Sequence, residues 1–255
     1  MNESCLRLSQ VSKSFARTEM EEVTNALEEV SLEVRTGEFI SIVGASGCGK
    51  STILRLIAGL IKPTTGTLTL NGLPVGGPSP ERGMVFQKPT LFPWLTVEQN
   101  VSFSLRMRNR MEGAQPRVEE LIRRAGLEEF RDAYPHQLSG GMAQRVALIR
   151  TMITEPEVFL LDEPMGALDA FTRMNMQDEL LHLWEQRRCM MVMVTHDIDE
   201  AIYMGTRVIV MLPRPGRIRE DIPIDMAYPR NRTSKRFMEY RNRVMEMLDL
   251  GHAEE

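Results

Sequence analysis

One stretch constrains this chain more than any other: Phe39-Ile40-Ser41-Ile42-Val43-Gly44-Ala45-Ser46-Gly47-Cys48-Gly49-Lys50-Ser51-Thr52. Its mostly apolar start reads as a buried strand. A glycine-rich loop follows, and Ile53, Leu54, Leu56, Ile57 and Ala58 then recur at helical spacing. This is the pattern Gly-x-x-x-x-Gly-Lys-Ser/Thr with the strand before it and the helix after it that its chemistry needs. Gly44, Gly47 and Gly49 let the backbone bend until its N–H groups face inward on phosphate oxygens. The positive end of the next helix adds to the attraction. Lys50 is placed to reach the β- and γ-phosphates, and the Ser51 hydroxyl to hold Mg²⁺. A glycine-rich turn without a ligand is the alternative, and the flanking strand and helix argue against it. Residues Gly44 through Thr52 are expected to bind a nucleoside triphosphate.

At 255 residues the chain can form one large domain or two tightly joined ones. A net charge of −4 offers no electrostatic pull toward nucleic acid. Cys5, Cys48 and Cys189 are scattered, with neither a disulfide frame nor zinc-ligand spacing. The histidines, His136, His182, His196 and His252, also lack metal-ligand spacing. No apolar run approaches the length of a membrane span and no signal-type apolar segment opens the sequence, so any tie to a membrane is expected to come through a partner. The 19 methionines read as adaptable core filling.

Taken in order, residues 6–15 alternate as a half-buried strand. Residues 20–36 are ambiguous, because Val23, Ala26, Leu27 and Val30 fit a helix while Leu32 and Val34 fit a strand. Thr67 to Leu70 alternates, and Asn71-Gly72 predicts a hairpin turn. Met84-Val85-Phe86 is a short apolar strand ending at Gln87. From about 88 to 137 charged, helix-favouring residues take over, and the interleaved Glu119, Glu120, Glu128 and Glu129 make a solvated helical face a better reading of the arginines than a nucleic-acid patch. Ser139 is expected to cap a helix striped by Met142, Val146, Ile149 and Ile153 and stopped by Pro156. Val158 to Leu161 is an apolar strand ending in Asp162-Glu163. Asp169 predicts the cap of a helix to about Arg187 with Leu180, Leu183 and Trp184 inward. Met190 to Val194 is another apolar strand, ending in Thr195-His196, and Val208 to Leu212 is the last clear one. A weak amphipathic helix, Phe237 to Leu250, closes the chain.

Fully apolar strands separated by helices imply a parallel sheet buried on both faces, whose ligands bind outside the strands' carboxyl ends. Gly44, Gln87, Asp162-Glu163 and His196 are therefore expected to share one crevice. Asp162 suits Mg²⁺ together with Ser51, and Glu163 is the expected general base for an attacking water. His196 alone would read as a core histidine, and Gln87 alone as uninformative; their strand-end positions bring them into the set. Leu138-Ser139-Gly140-Gly141 offers a second anion cradle at a helix start, against the plainer reading of a glycine-containing cap.

The ordered set of Gly44–Ser51, Gln87, the Leu-Ser-Gly-Gly signature at 138–141, Val158–Glu163, Ala167-Leu168-Asp169 and His196 resembles the nucleotide-binding subunit of ABC transporters over residues 6–212. Leu91 to Val101, Met142 after the signature and the tail segment 213–218 are similar to importer ATPases for nitrate, sulfonate, taurine and related solutes. The resemblance implies an α/β fold of the P-loop NTPase (RecA-like) type: a parallel-sheet core, an antiparallel β subdomain and an inserted helical subdomain. The implied segments are 1–87 (first part of the core), 88–155 (helical subdomain with the signature), 156–212 (second part of the core) and a tail at 213–255. It further implies ATP and Mg²⁺ as ligands and two copies meeting head to tail. Each ATP would lie between one phosphate loop and the partner copy's Ser139, Gly140 and Gly141, with Asp169 linking the sites. Gln87 would sense the γ-phosphate and Mg²⁺, Phe15 would stack on adenine, and Lys50 and His196 would stabilise the transferring phosphoryl group while Glu163 orients water. A membrane permease and an external solute-binding protein would complete the assembly, with this subunit peripheral at the cytoplasmic face. Leu91, Phe92 and Trp94 read equally as a permease-docking groove or as core. Cys48 reads as tolerated variation or as a redox switch, since a helix N-terminus lowers a thiol pKa. An exporter ATPase, a soluble ABC ATPase acting on nucleic acid or ribosomes, and a small-molecule kinase are the competing classes. The kinase would lack the signature, and the soluble class generally carries two ATPase halves or coiled-coil insertions.

Overall fold

The computed structural model describes residues 4–16, 23–166 and 168–253. Contacts divide the chain into a first unit, Met1–Ser79 with Leu181–Glu255, and a second, Pro80–Leu180. The chain alternates strands and helices in an α/β arrangement with both parallel and antiparallel strand pairing.

In the first unit, β1 (Cys5–Ala16) pairs antiparallel with β2 (Val23–Arg35). The ambiguous 20–36 region is thus a strand from Val23 to Arg35. After β3 (Phe39–Gly44) and α1 (Lys50–Ile57) come β4 (Thr65–Leu70) and β5 (Leu73–Pro74), giving a four-stranded sheet ordered β2-β1-β4-β5. Leu70 faces Leu73 across Asn71 and Gly72, at φ 54° and 78°, the mirror-image two-residue turn that the Asn-Gly pair favours. The unit's second sheet takes β3 from this part of the chain and β8 (Met190–Val194), β9 (Arg207–Leu212) and β10 (Arg217–Pro223) from the part after 181. β3 runs parallel to β8 and β9 as neighbours on either side, and β10 closes the edge antiparallel to β9. Every residue of β8 is buried, as is β3 from Phe39 to Val43, so the continuous apolar runs are two-sided core strands. Met190, Met191 and Met193 fill that core at 0% exposure.

β10 departs from the sequence reading, which ended the strands at Leu212. Its charged residues hid it: Arg217, Arg219 and Asp221 are exposed and Ile222 alone is buried, as suits an edge strand. Arg207 of β9 braces this edge, with Nε donating to Asp221 at 3.0 Å and Nη1 to Glu38 at 2.9 Å. Helices α6 (Ile198–Met204) and α7 (Lys235–Ala253) complete the unit.

The second unit holds β6 (Arg82–Val85) parallel to β7 (Val158–Asp162), with α2 (Val97–Met107), α3 (Gln115–Arg124) and α4 (Gly140–Met152) between them in sequence. Helix α5 (Ala170–Arg187) begins here and passes into the first unit at Leu181. Leu180 and Trp184 are buried as expected, but Leu181 takes the inward place given to Leu183, which is half-buried. Helix α4 ends at Met152, before Pro156, and Glu155 turns the chain at φ 49°. Thr96 and Gln99 form a reciprocal capping box on α2.

Glu98 ties this helical region together, accepting from Arg131 Nε at 2.7 Å and from Gln115 Nε2 at 2.6 Å. The Arg131 guanidinium, against the opposing effect of burial, holds the Glu98 carboxyl down to about 2. A carboxylate depressed in the folded state stabilises it fully above its ordinary 4.5 and loses that contribution as pH falls toward 2. Glu98→Gln is therefore expected to flatten the acid limb of urea-denaturation stability across that window. An unchanged acid limb would show that the pair contributes nothing.

Candidate functional site

Helix α1, like α3, begins without the side-chain cap that α2, α4 and α6 carry. Thr96 caps α2 through the Gln99 N–H, Ser139 caps α4 through the Met142 N–H at 3.2 Å, and Asp197 caps α6 through the Glu200 N–H at 3.0 Å. At α1 the N-cap is Gly49, no side chain bonds to its first turn as a cap, and no acidic residue lies there. An uncapped helix start leaves its N–H donors and its positive end for an anion. Gly49 is required at this point: its φ is 91°, and a Cβ there would lie 2.5 Å from Leu27 Cδ2 and 2.7 Å from the Ala26 carbonyl.

Lys50 is 8% exposed, and its Nζ donates to Gly44 O at 2.8 Å and Ala45 O at 3.0 Å. The ammonium is thus held against the loop, while Ser46 and Gly47 at the tip are open to solvent. Ser51 and Thr52 are half-buried in the first turn of α1. Cys48 is fully buried, and burial pushes its thiol up despite the Lys50 charge and hydrogen bonds. The redox-switch reading of Cys48 fails on this point, since a buried, raised thiol is a poor nucleophile.

Parallel pairing sets the neighbours of the loop. Ile42 of β3 lies opposite Val194 of β8, and Thr195 N donates to Ile42 O at 3.2 Å. The phosphate loop and the exposed His196 therefore leave the carboxyl ends of adjacent strands within the first unit. Phe15 pairs with Thr24, two residues along β2 from the Ala26 that packs on Gly49, and its ring is 40% exposed.

The second unit assembles the other expected residues. Val85 of β6 lies opposite Leu161 of β7, so Gln87 and Asp162-Glu163 also follow adjacent strand ends. Gln87 Nε2 donates to Glu163 Oε2 at 2.8 Å. Asp162 is 5% exposed, and Glu163 turns away from the strand at φ 46°, a left-handed conformation costly for this residue type and typical of sites where it aims a side chain. Ser139 and Gly140 are exposed, Gly141 is half-buried, and a Cβ at Gly140 would meet nothing within 4 Å. Asp169 caps α5, its Oδ1 accepting from Thr172 N at 3.0 Å, a bond that holds its carboxyl below the usual range. Ala167, of the expected Ala167-Leu168-Asp169 set, lies outside the described residues.

Two residues that sequence reasoning gave no role are structural keys. Gln144, 1% exposed on α4, donates to Phe86 O at 3.2 Å and so ties the signature helix to the residue before Gln87. Asn100, 0% exposed, accepts from Phe92 N at 2.9 Å and donates to Phe92 O, Leu95 O and Thr96 O. That fixes the loop carrying Leu91, Phe92 and Trp94. Trp94 is 68% exposed and therefore not core, while Phe92 packs 4.3 Å from Phe103. Beside it opens a groove of ≈ 490 Å³ lined by Phe92, Phe103, Met84, Arg82, Arg108 and Arg150 among others.

A family profile described as ABC transporter matches residues 27–166. An ABC transporter ATP-binding protein of Methanocaldococcus jannaschii is 49% identical over 224 residues, 88% of this chain and 84% of that one. The aliphatic sulfonates import ATP-binding protein of Bacillus subtilis is 47% identical over 232 residues, 89% of this chain and 90% of that one. A solved dimeric ATP-binding cassette, in a post-hydrolysis state bound to ADP and Pi, superimposes with a TM-score of 0.78 at 34% identity, covering 87% of this chain and 100% of that one.

Proposed function

From the premise that this chain belongs to the ABC transporter family and is an ATP-hydrolysing cassette, we propose that it powers uptake of a nitrate-, sulfonate- or taurine-type anion or a related small solute through a membrane permease. The observation that carries the reading is the presence of two anion cradles in one chain: the uncapped start of α1 and the exposed Ser139-Gly140-Gly141 turn of α4. One nucleotide engages both when two copies meet head to tail, the second cradle closing over the γ-phosphate held by the first. The dimeric state of the solved cassette supports this arrangement.

In this reading Gly44 through Thr52 bind the phosphates and Phe15 stacks on adenine. Lys50 and His196 meet the charge that builds on the transferring phosphoryl group. Glu163 orients the attacking water and accepts its proton. Gln87, bonded to Glu163, links that carboxylate to the loop carrying Phe92 and Trp94. The Ser51 hydroxyl and the Asp162 carboxylate are hard oxygen donors that fit Mg²⁺, with Gln87 completing the set. When bound, that ion neutralises charge on the β- and γ-phosphates. ATP joins the two copies because the bridging contacts exist only with the γ-phosphate in place, and hydrolysis removes that differential affinity.

The groove beside Phe92 is the proposed seat of a permease segment, with aromatic and arginine anchors of the kind that dominate interfaces. Among the described residues no helix is long and apolar enough to cross a membrane. In this reading the subunit sits peripherally at the cytoplasmic face, held there by its permease. An external solute-binding protein would deliver the anion, and nucleic acid has no place in the scheme. The test is reconstitution of the full chain in vesicles with the permease and binding protein encoded beside it. ATP hydrolysis is expected to rise several-fold when the binding protein is loaded with an aliphatic sulfonate. A response to none of sulfonate, taurine or nitrate would remove the solute class, and purification with ribosomes in place of a permease would remove the importer.

A further inference from the structure

The segment after Pro223 had no role legible in the sequence, yet it holds a buried charge. Arg230 is 5% exposed, and its donors go to backbone carbonyls. Nη1 donates to Ile202 O, to Tyr203 O at 3.4 Å and to Gly205 O at 2.6 Å, and Nε donates to Met226 O at 3.2 Å. The Tyr228 hydroxyl donates to Met204 O at 2.6 Å, and the Arg230 guanidinium lies 4.2 Å from the Tyr228 ring centre. Burial pushes the Tyr228 hydroxyl up to about 12, so it stays a donor across the working pH range.

These bonds finish one particular helix. The last four carbonyls of a helix have no partner within it. In α6 they belong to Ala201, Ile202, Tyr203 and Met204, and all four residues are buried. Ala201 O receives Gly205 N at 2.9 Å, while Arg230 and Tyr228 supply the other three. A cation at this end also suits the helix dipole. With 7 residues α6 is too short to hold its own direction, so its tilt is set by what grips it. At its other end Asp197 is the N-cap, and His196 is the residue before that cap. Arg241 of α7 adds a 2.9 Å ion pair to Asp199 in the first turn.

We propose that Arg230 and Tyr228 are positioning residues for His196, the tail acting as a clamp on α6 that fixes where the imidazole stands at the end of β8. This rests on the reading of His196 as a group that meets the γ-phosphate. Loosening the clamp leaves the phosphate loop intact, so the transition-state contact suffers while ATP binding does not.

The test measures steady-state ATP hydrolysis by the full chain. Arg230→Met, which keeps an apolar stem and removes the donors, is expected to lower kcat by ~10- to 100-fold with KM for ATP little changed, the scale on which small misplacements act. Arg230→Lys should recover part of the loss. Combined with His196→Ala, Arg230→Met should add nothing further, because residues acting through one group are not additive. If Arg230→Met fails to fold, Tyr228→Phe decides, through a smaller loss of kcat that likewise vanishes beside His196→Ala. Wild-type kcat in Arg230→Met, or in Tyr228→Phe where that variant decides, overturns the proposal, as does a loss that multiplies with His196→Ala. Full activity in His196→Ala alone instead removes the underlying reading of that histidine.

Discussion

Glu163→Gln is expected to lower kcat for ATP hydrolysis by on the order of 10²–10³-fold, the range for loss of a positioned general base, while ATP still binds. The substitution keeps the shape of the side chain, and its amide oxygen can still accept the 2.8 Å bond from Gln87 Nε2. What disappears is the negative charge that draws a proton from water. Losing that charge also removes repulsion toward the γ-phosphate, so ground-state binding is not weakened and the effect falls on kcat, not KM. Under the two-cradle mechanism a further consequence follows. Nucleotide that cannot be cleaved keeps the bridging contacts in place, and the variant should accumulate as an ATP-loaded dimer under conditions where the wild type cycles back to monomer. Single-turnover hydrolysis of labelled ATP, with light scattering on the same sample, reads both effects. Turnover at the wild-type rate would remove Glu163 from the chemistry, and slow turnover without a trapped dimer would remove the joining of two copies by ATP.

How far the sequence discloses this site depends on the range of the interactions involved. The phosphate loop is local: strand, glycines, lysine and helix lie within fourteen consecutive positions, 39–52, and each can be read from its neighbours. The buried strands β3, β7 and β8 are equally local, since an unbroken apolar run suits a two-sided core strand. The ambiguity at 20–36 had a geometric source. Leu27 and Val30 lie three apart and both point inward, which imitates a helical period. They do so because the β1–β2 register slips between Val11↔Val30 and Lys13↔Leu27, with Glu29 at φ 47°. A bulge of this kind advances the alternation by one residue, and one-dimensional periodicity cannot tell it from a turn of helix. Longer-range features left no local mark. Gln144 meets Phe86 across 58 positions, Gln87 meets Glu163 across 76, and Arg230 meets Ile202 across 28. Each is a polar side chain whose partner is set by topology, and a glutamine or arginine on a helix or loop reads as surface until that topology is known.

The second large effect is expected from Ser139→Asp. Aspartate caps a helix as well as serine does, so the bond now made by Ser139 Oγ to Met142 N at 3.2 Å has a replacement and α4 should keep its stability. A bulkier or apolar residue would confuse loss of the cap with loss of function, and this choice separates them. The added carboxylate stands at the mouth of the second cradle, where a triphosphate carried by a partner copy would arrive. Two anions facing each other in a site closed to water repel strongly, and removing or inverting one such electrostatic contact costs on the order of 10²–10³-fold in rate. ATP binding to the monomer, which uses the phosphate loop of the same chain, should be untouched. A mixing experiment makes the claim sharper. Ser139→Asp and Lys50→Ala are each expected to be inactive alone, one lacking the second cradle and the other the first. In a mixed dimer the intact phosphate loop of the Ser139→Asp copy meets the intact Ser139 of the other, so one complete site forms and hydrolysis returns. A protein that works as a monomer gains nothing from mixing. Wild-type activity in Ser139→Asp, or a specific rate independent of protein concentration down to the monomer regime, would mean that each copy completes its own site and that the second cradle serves only as a helix cap.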